Sequence, residues 1–441
     1  MSSLRKNSIY GLIGFVIPTL VILVAYPVLV RQLGNEAFGI YILASSISGS
    51  VAFLDFGFSA ATLKFIAEDM ARNDRKSVSD MIVASLLFYG GMGLFLSLFI
   101  WVSSSWLVSL FSIHTDLIEQ SIFVFRLSAI QLVVFFMTTV FISLFKGMHR
   151  FDLSTSILSI LSMLTYGGAV AGVLLFDVKL IGVSVISLCA NLIVFLISIV
   201  IGYALCLSHD ISFKIARPQV TVFKRMFNFG SAMTISSIAS ILHAQLQRIL
   251  IGSTIGPQYV TSFFIGVWGP AKVNSATLAL SEPLFPKISS LSNDVVKCKS
   301  LYRKYVFIIA FITFVTLFPL FLFSNEIYAL WFGQNIPPYA PAIASIMAGA
   351  LFLNSISQPA HHLINGIGKP WINTLFTIIS PVILYSTLLV LFVIHRNLDI
   401  LDFAWATAFS LGITSVLYFL WIEFKLANFK IFSLNRKATH E

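Results

Sequence analysis

Charge is scarce in this chain of 441 residues: only 10% of them are Asp, Glu, Lys or Arg, against roughly a quarter in an ordinary soluble domain. Twenty-eight basic and 18 acidic side chains cannot furnish a water-exposed surface for a core of this length, which excludes a soluble globular enzyme. Cysteine is scarce too. Cys189, Cys206 and Cys298 are all there is, and their spacing suits neither a disulfide framework nor a metal-ligand set. No HExxH or Cys-His cluster is present. IGSTIG at 251–256 lacks the Lys-Ser/Thr ending of a nucleotide P-loop, and LDFG at 54–57 stands without the rest of a kinase signature. No cofactor is therefore expected.

What the chain has in abundance is apolar surface: 58% of residues are hydrophobic, with a mean hydropathy of +0.92. A helix rises about 1.5 Å per residue, so about 20 apolar residues cross some 30 Å of hydrocarbon. Twelve such stretches are expected, near 10–30, 39–61, 81–102, 118–143, 155–176, 181–205, 228–251, 259–281, 305–323, 341–363, 371–394 and 403–424. The basic opening MSSLRKNSIY reads as the approach to the first span, since no small-residue cleavage site follows it.

Charge placement orients these spans. With the N-terminus inside, 22 of the 28 basic residues fall in inner loops, the positive-inside pattern, with both termini cytoplasmic. The net charge of +10 then reflects topology and attraction to anionic membrane lipids, and nucleic acid is not an expected partner. Inner loops of roughly 5 to 25 residues hide no ATP-hydrolysing domain, and a channel would show a repeated selectivity filter.

A faint repeat runs through the chain. Arg5, Lys6 and Gly11 match Lys224, Arg225 and Gly230 at an offset of 219. Gly34 and Tyr41 match Gly252 and Tyr259 at 218, Asn73-Asp74 matches Asn293-Asp294 at 220, and Gly147 in FKGMHR matches Gly366 in INGIGK at 219. Six spans separate the copies, so the halves run parallel. The expected fold is an all-α polytopic membrane protein of about twelve transmembrane helices in two parallel, pseudo-repeated six-helix bundles. Its parts would be an N-terminal bundle at 1–205, a cytoplasmic linker at 206–227, a C-terminal bundle at 228–424 and a cytoplasmic tail at 425–441. Such a pair of bundles suits an alternating-access carrier.

Polar residues inside the spans mark the candidate site. Asn354, Gln358, His361 and Asn365 lie within about 60° of one another at about 100° per residue, one polar stripe on the tenth span. The stripe serves either interhelical hydrogen bonds or a ligand. Arg126 and Lys272 are intramembrane cations that either snorkel to an interface or meet an anionic ligand. With Arg31 and Arg248 they suggest a basic cleft, where guanidinium groups would grip phosphate oxygens in pairs. Pro18, Pro27, Pro270 and Pro359 are kinks or hinges. Asp55 sits about 24 Å along the second span from Gly39, as an interfacial cap, an inner gate or an ion-coupling acid.

The stretches VRQLGNEAFGIY at 30–41, LDFGFSAATLKFIAEDMARND at 54–74 and LFKGMHRFD at 144–152 carry a resemblance. In their order, and with twelve spans in two halves, the chain resembles the Wzx-type O-antigen flippases of the polysaccharide synthase family, within the MATE-like exporter (MOP) superfamily. The resemblance implies a MATE-like fold in the bacterial inner membrane. It also implies movement of undecaprenyl-diphosphate-linked O-antigen or related oligosaccharide from the cytoplasmic to the periplasmic leaflet, for lipopolysaccharide assembly. A glycan polymerase and assembly proteins would be partners, and a proton or sodium gradient the energy source. In this reading Arg31, Arg126, Arg248 and Lys272 contact diphosphate or glycan, Asn354, Gln358 and His361 contact sugars, and Asp55 gates or couples. The alternative is an ion-coupled multidrug or other small-molecule exporter of the same superfamily, which would favour an acidic or aromatic cleft.

Overall fold

The computed structural model describes residues 2–51, 55, 57–211, 222–227, 238–290 and 295–427. Part of the expected linker, most of the tail, the start of the seventh span and the repeat positions Gly230, Asn293 and Asp294 lie outside the described residues. Every described element is helical. The chain divides into two compact units, Met1–Ile241 with Gly256–Gln258, and Leu242–Ile255 with Tyr259–Glu441.

The first unit contains α1 (Ser2–Leu33), α2 (Asn35–Ser50), α3 (Phe58–Ala71), α4 (Arg75–Ser109), α5 (Ile118–Gly147), α6 (Phe151–Ser162), α7 (Gly168–Phe176) and α8 (Leu180–Ser208). A π turn at Met163–Gly167 joins α6 and α7 into one span. Helix α5 packs on α3, α4 and α8 and buries Phe125, Phe136 and Phe145 completely. Helix α4 turns Leu94, Phe95, Leu98 and Phe99 outward, each more than half exposed. Large apolar side chains so grouped would be costly in water and are at home in lipid. At its start, Asp74 caps α4, accepting from the Ser77 amide at 3.0 Å and the Ser77 hydroxyl at 2.7 Å. Those bonds hold the Asp74 carboxyl below the usual range.

In the second unit a π turn at Leu242–Leu246 leads into α9 (Gln247–Thr254), followed by α10 (Pro257–Ser281), α11 (Leu284–Ser290), α12 (Val295–Leu322), α13 (Ser324–Phe332), α14 (Ala340–Gly366), α15 (Pro370–His395) and α16 (Ile400–Ala427). Helix α14 packs on α11, α12 and α16, the same set of neighbours, one repeat on, that α5 has. The match reaches atomic detail. After α5, the amides of Met148, His149 and Arg150 donate to the carbonyls of Leu144, Lys146 and Phe145; after α14, those of Ile367, Gly368 and Lys369 donate to Leu363, Asn365 and Ile364. Residue 149 is left-handed at φ 58°, and so is residue 368 at φ 77°. Both preceding glycines are there because a neighbouring helix backbone comes too close for a side chain. A Cβ on Gly147 would lie 2.8 Å from Ile66 Cγ2, and one on Gly366 2.6 Å from Ile288 Cγ2. The faint repeat in the sequence is a duplicated bundle.

Nine described helices are long and apolar enough to cross a membrane, and they coincide with the first, third to sixth and ninth to twelfth expected spans. The remaining three are shorter or more polar. The second breaks after Ser50, resuming at Phe58 behind Gly57, whose φ of 70° suits glycine. The seventh carries the π turn through His243 and Gln245. The eighth contains Pro270, Lys272 and Asn274.

Candidate functional site

Asp55 lies in the break between α2 and α3. Its carboxylate accepts from the Ser59 amide at 3.2 Å and the Ser59 hydroxyl at 2.7 Å, and also from the hydroxyl of Tyr89 on α4. Tyr89 is fully buried, so the acid both closes the first turn of α3 and ties that helix to α4. Further along α3, Glu68 accepts from Arg225 at 3.0 Å, and that guanidinium sits 3.6 Å from Asp69 and lies over the Phe65 ring at 3.9 Å. Asp69 is almost wholly buried. Burial raises its pKa against the pull of Arg225.

Arg31 is exposed in the last turn of α1, the end of a helix where a cation is favoured. Arg126 is half-buried and turned toward α4, donating to Ser104 Oγ at 3.2 Å with its guanidinium 5.5 Å from the centre of Trp101. In the second unit Arg248 donates to Gln245 at 3.3 Å and lies 4.9 Å from the Phe264 ring. Lys272 lies 5.7 Å from the Trp268 ring, which itself packs on Trp331. Three of the four cations therefore rest on aromatic faces, a contact that eases the burial of a positive charge.

The polar stripe on α14 divides into two groups. Asn354 accepts from Asn274 of α10 at 2.9 Å and from Gln358 at 3.2 Å, and donates to Ser415 of α16 at 3.1 Å. One turn on, Asn373 of α15 donates to Asn365 at 2.8 Å and to the His361 carbonyl at 3.1 Å, and accepts from Tyr418. The His361 ring lies 4.8 Å from that of Tyr418. Asn354 and Gln358 are thus brought together, while His361 belongs to the neighbouring cluster. Much of the stripe's hydrogen-bonding capacity goes to joining α10, α14, α15 and α16.

A cavity of about 230 Å³ opens inside the first unit, between α2, α5 and α8. Tyr41, Ser45 and Ser48 face it from α2, where a spacing of four and then three residues keeps them on one side. Helix α5 contributes Ser128 and Gln131, and α8 contributes Ser184 and Asn191. Leu132, Val124 and Phe135 complete the wall. None of the described lining residues carries a formal charge. In the sequence Gln131 and Asn191 are isolated amides within expected spans, and the serines look ordinary there. The missed signal was three short polar faces on separate apolar helices, which only the packing of α2, α5 and α8 unites.

Two duplicated helical units of this design define the class: the fold is that of MATE transporters. A multidrug resistance MATE family transporter of the MOP superfamily, solved in an inward-facing conformation, superimposes with a TM-score of 0.78 over 96% of this chain and 99% of its own, at 16% identity. Residues 28–341 match the polysaccharide biosynthesis protein family, and the chain belongs to it. Relatives include a protein of Shigella flexneri provisionally named an O-antigen transporter, 25% identical across 85% of this chain and 87% of its own. A protein of Haloferax volcanii, provisionally named the low-salt glycan biosynthesis flippase Agl15, is 24% identical across 88% and 77%. The chain is a multi-pass membrane protein of this family.

Proposed function

We propose that the protein is a flippase that moves undecaprenyl-diphosphate-linked O-antigen or a related oligosaccharide from the cytoplasmic to the periplasmic leaflet of a bacterial inner membrane. The match of residues 28–341 to the polysaccharide biosynthesis family carries this reading, and the duplicated bundles supply a scaffold for alternating access. Both termini would be cytoplasmic, as the distribution of basic residues favours.

In this proposal Arg31, Arg126, Arg248 and Lys272 are each candidate contacts for the diphosphate or glycan, taken within their own units, and the polyprenyl tail stays in lipid. Cations held against aromatic rings are already partly shielded from hydrocarbon, so an incoming phosphate exchanges a weak contact for a charge-assisted one. Asn354, with Gln358 beside it, would then act chiefly by fixing α10, the helix that carries Lys272, and His361 would remain a candidate sugar contact. A proton or sodium gradient would drive net movement, and a glycan polymerase would take the product. The decisive experiment depletes the protein in its host and follows the sidedness of lipid-linked oligosaccharide. Accumulation on the inner leaflet, reversed on re-expression, is expected; unchanged sidedness would refute the reading, and drug efflux in its place would establish the exporter.

A further inference from the structure

The cavity between α2, α5 and α8 contains chemistry that the basic residues do not. The hydroxyls of Ser45, Ser128 and Ser184 each donate to a carbonyl of their own helix, Ile42 at 2.8 Å, Phe125 at 2.8 Å and Leu180 at 3.0 Å. Their oxygens are left to accept. Gln131 and Asn191 each direct one amide N–H to Ser187, at 3.2 Å to its hydroxyl and 2.9 Å to its carbonyl, and keep a second N–H and the carbonyl oxygen to offer. A chamber built this way is rich in acceptors and keeps a few donors, which suits a ligand whose groups both donate and accept.

Electrostatics and shape narrow the occupant further. With no cation in the described lining, a phosphate or carboxylate would lose its hydration without a charged partner, and with no carboxylate there a divalent ion would lack a counter-charge; a bare monovalent ion could be met by such oxygens but would leave Leu132, Phe135 and the Tyr41 ring without a role. What remains is a neutral molecule rich in hydroxyl donors, with apolar C–H faces to lie against Leu132, Phe135 and the Tyr41 ring. Size sets an upper limit. At about 230 Å³ the cavity falls below the ~300–1,000 Å³ of sites that take drug-sized ligands, enough for one sugar ring and too little for a chain of them.

We propose that this cavity receives a single neutral sugar ring of the lipid-linked glycan, hydroxyls inward, while the diphosphate is held outside it; the assignment rests on the flippase reading above. Charge and sugar would then be recognised at separate places. One consequence is selectivity: a ring bearing a carboxylate is rejected, although the basic residues elsewhere would welcome its charge.

The test uses the purified full chain and native mass spectrometry with three probes: undecaprenyl diphosphate alone, the same lipid carrying one neutral hexose, and the same lipid carrying one hexuronic acid. Several neutral hexoses are tried, since the ring's stereochemistry is open. The wild type is expected to bind at least one neutral hexosyl lipid about tenfold more tightly than the other two probes. Gln131→Leu and Asn191→Leu, each checked for a monodisperse profile, should lose that preference and keep the affinity for bare lipid. A Ser48→Ala variant, which changes little volume, should weaken the preference and guards against misfolding of the larger changes. A preference that persists in all three variants, or a hexuronic lipid bound as tightly as the hexosyl one, overturns the sugar assignment alone. Failure of the wild type to bind any of the three lipids overturns the flippase reading with it.

Discussion

Replacing Gly366 with alanine tests the crossing of α14 and α11. The new methyl would sit 2.6 Å from Ile288 Cγ2, 2.8 Å from Ile288 Cβ and 3.2 Å from the Phe285 carbonyl oxygen, where carbon contacts settle at about 3.5–4.0 Å. Rotating Ile288 gives no escape, because its Cβ moves only with the backbone, so the helices must part by roughly 1 Å. Overpacking of this kind costs about 1–3 kcal/mol, against about 0.5–1 kcal/mol that alanine gains over glycine within a helix. A net loss of up to about 2.5 kcal/mol is expected. Gly167→Ala is the control: that glycine is helical at φ −66° with nothing within 4 Å of an added Cβ, so it should gain the helix preference alone. Ile288→Ala removes Cγ2 and keeps Cβ, so in Gly366→Ala/Ile288→Ala part of the clash is relieved and the double variant should be less unstable than the sum of its parts, toward the low end of about 0.5–3 kcal/mol of coupling. Thermal unfolding in detergent, ranked by apparent midpoint at one scan rate, reads the wild type, Gly167→Ala, the two single variants and the double variant. A Gly366→Ala midpoint no lower than that of Gly167→Ala, or strict additivity in the pair, would refute the argument. The same experiment at Gly147 and Ile66 should repeat the result.

Other expectations follow from the side-chain contacts. Asp55→Asn keeps Ser59 and Tyr89 within reach of the side chain and should leave the gradient dependence of transport in proteoliposomes unchanged; a lost dependence would assign the acid to coupling. Arg225→Ala removes the cation beside Asp69, whose carboxyl burial already raises above its ordinary value of 3.8. The folded state of this variant holds its proton more tightly than the unfolded one, so stability should fall as pH rises from near that value through the raised pKa. A midpoint loss equal at pH 5 and pH 8 would contradict it. Asp74 titrates the other way, since Ser77 lowers its pKa: the midpoint lost in Asp74→Ala should be full at neutral pH and vanish as pH falls through the lowered value. Asn373→Leu strands the Tyr418 hydroxyl and Asn365, and should cost about 1–3 kcal/mol in the same unfolding assay.

Composition and hydropathy alone placed nine of the twelve spans where helices of sufficient length and apolarity lie, because lipid imposes one strong rule on backbone and side chains alike. The duplication was legible from a few residues for a physical reason. Gly147 and Gly366 are held by close helix crossings that accept nothing larger, so they outlast the divergence around them. Asp55 was less legible. Position along the span suggested its capping role, but the bond from Tyr89, 34 residues away in sequence, depends on how α3 meets α4. For Arg126 and Lys272 the sequence showed cost without destination, and the aromatic rings beside them became visible only with the helices in place. The cavity was the least legible feature, since each serine looks like an ordinary small residue in a membrane helix until three faces converge.

His149 and Gly368 occupy the same left-handed position in the duplicated turn. One copy accommodates a backbone posture that suits glycine while carrying a full imidazole; the other has shed it. The sugar cavity has no counterpart charge to move either, and this bears on energetics. A voltage across the membrane exerts no force on a wall of serines, amides and a phenol, and ordinary swings in acidity do not recharge it. If a ring binds there, its release would be mechanical, a sliding of α2, α5 and α8 that breaks the hydrogen bonds together, and an ion gradient that drove transport would have to act at another address in the chain.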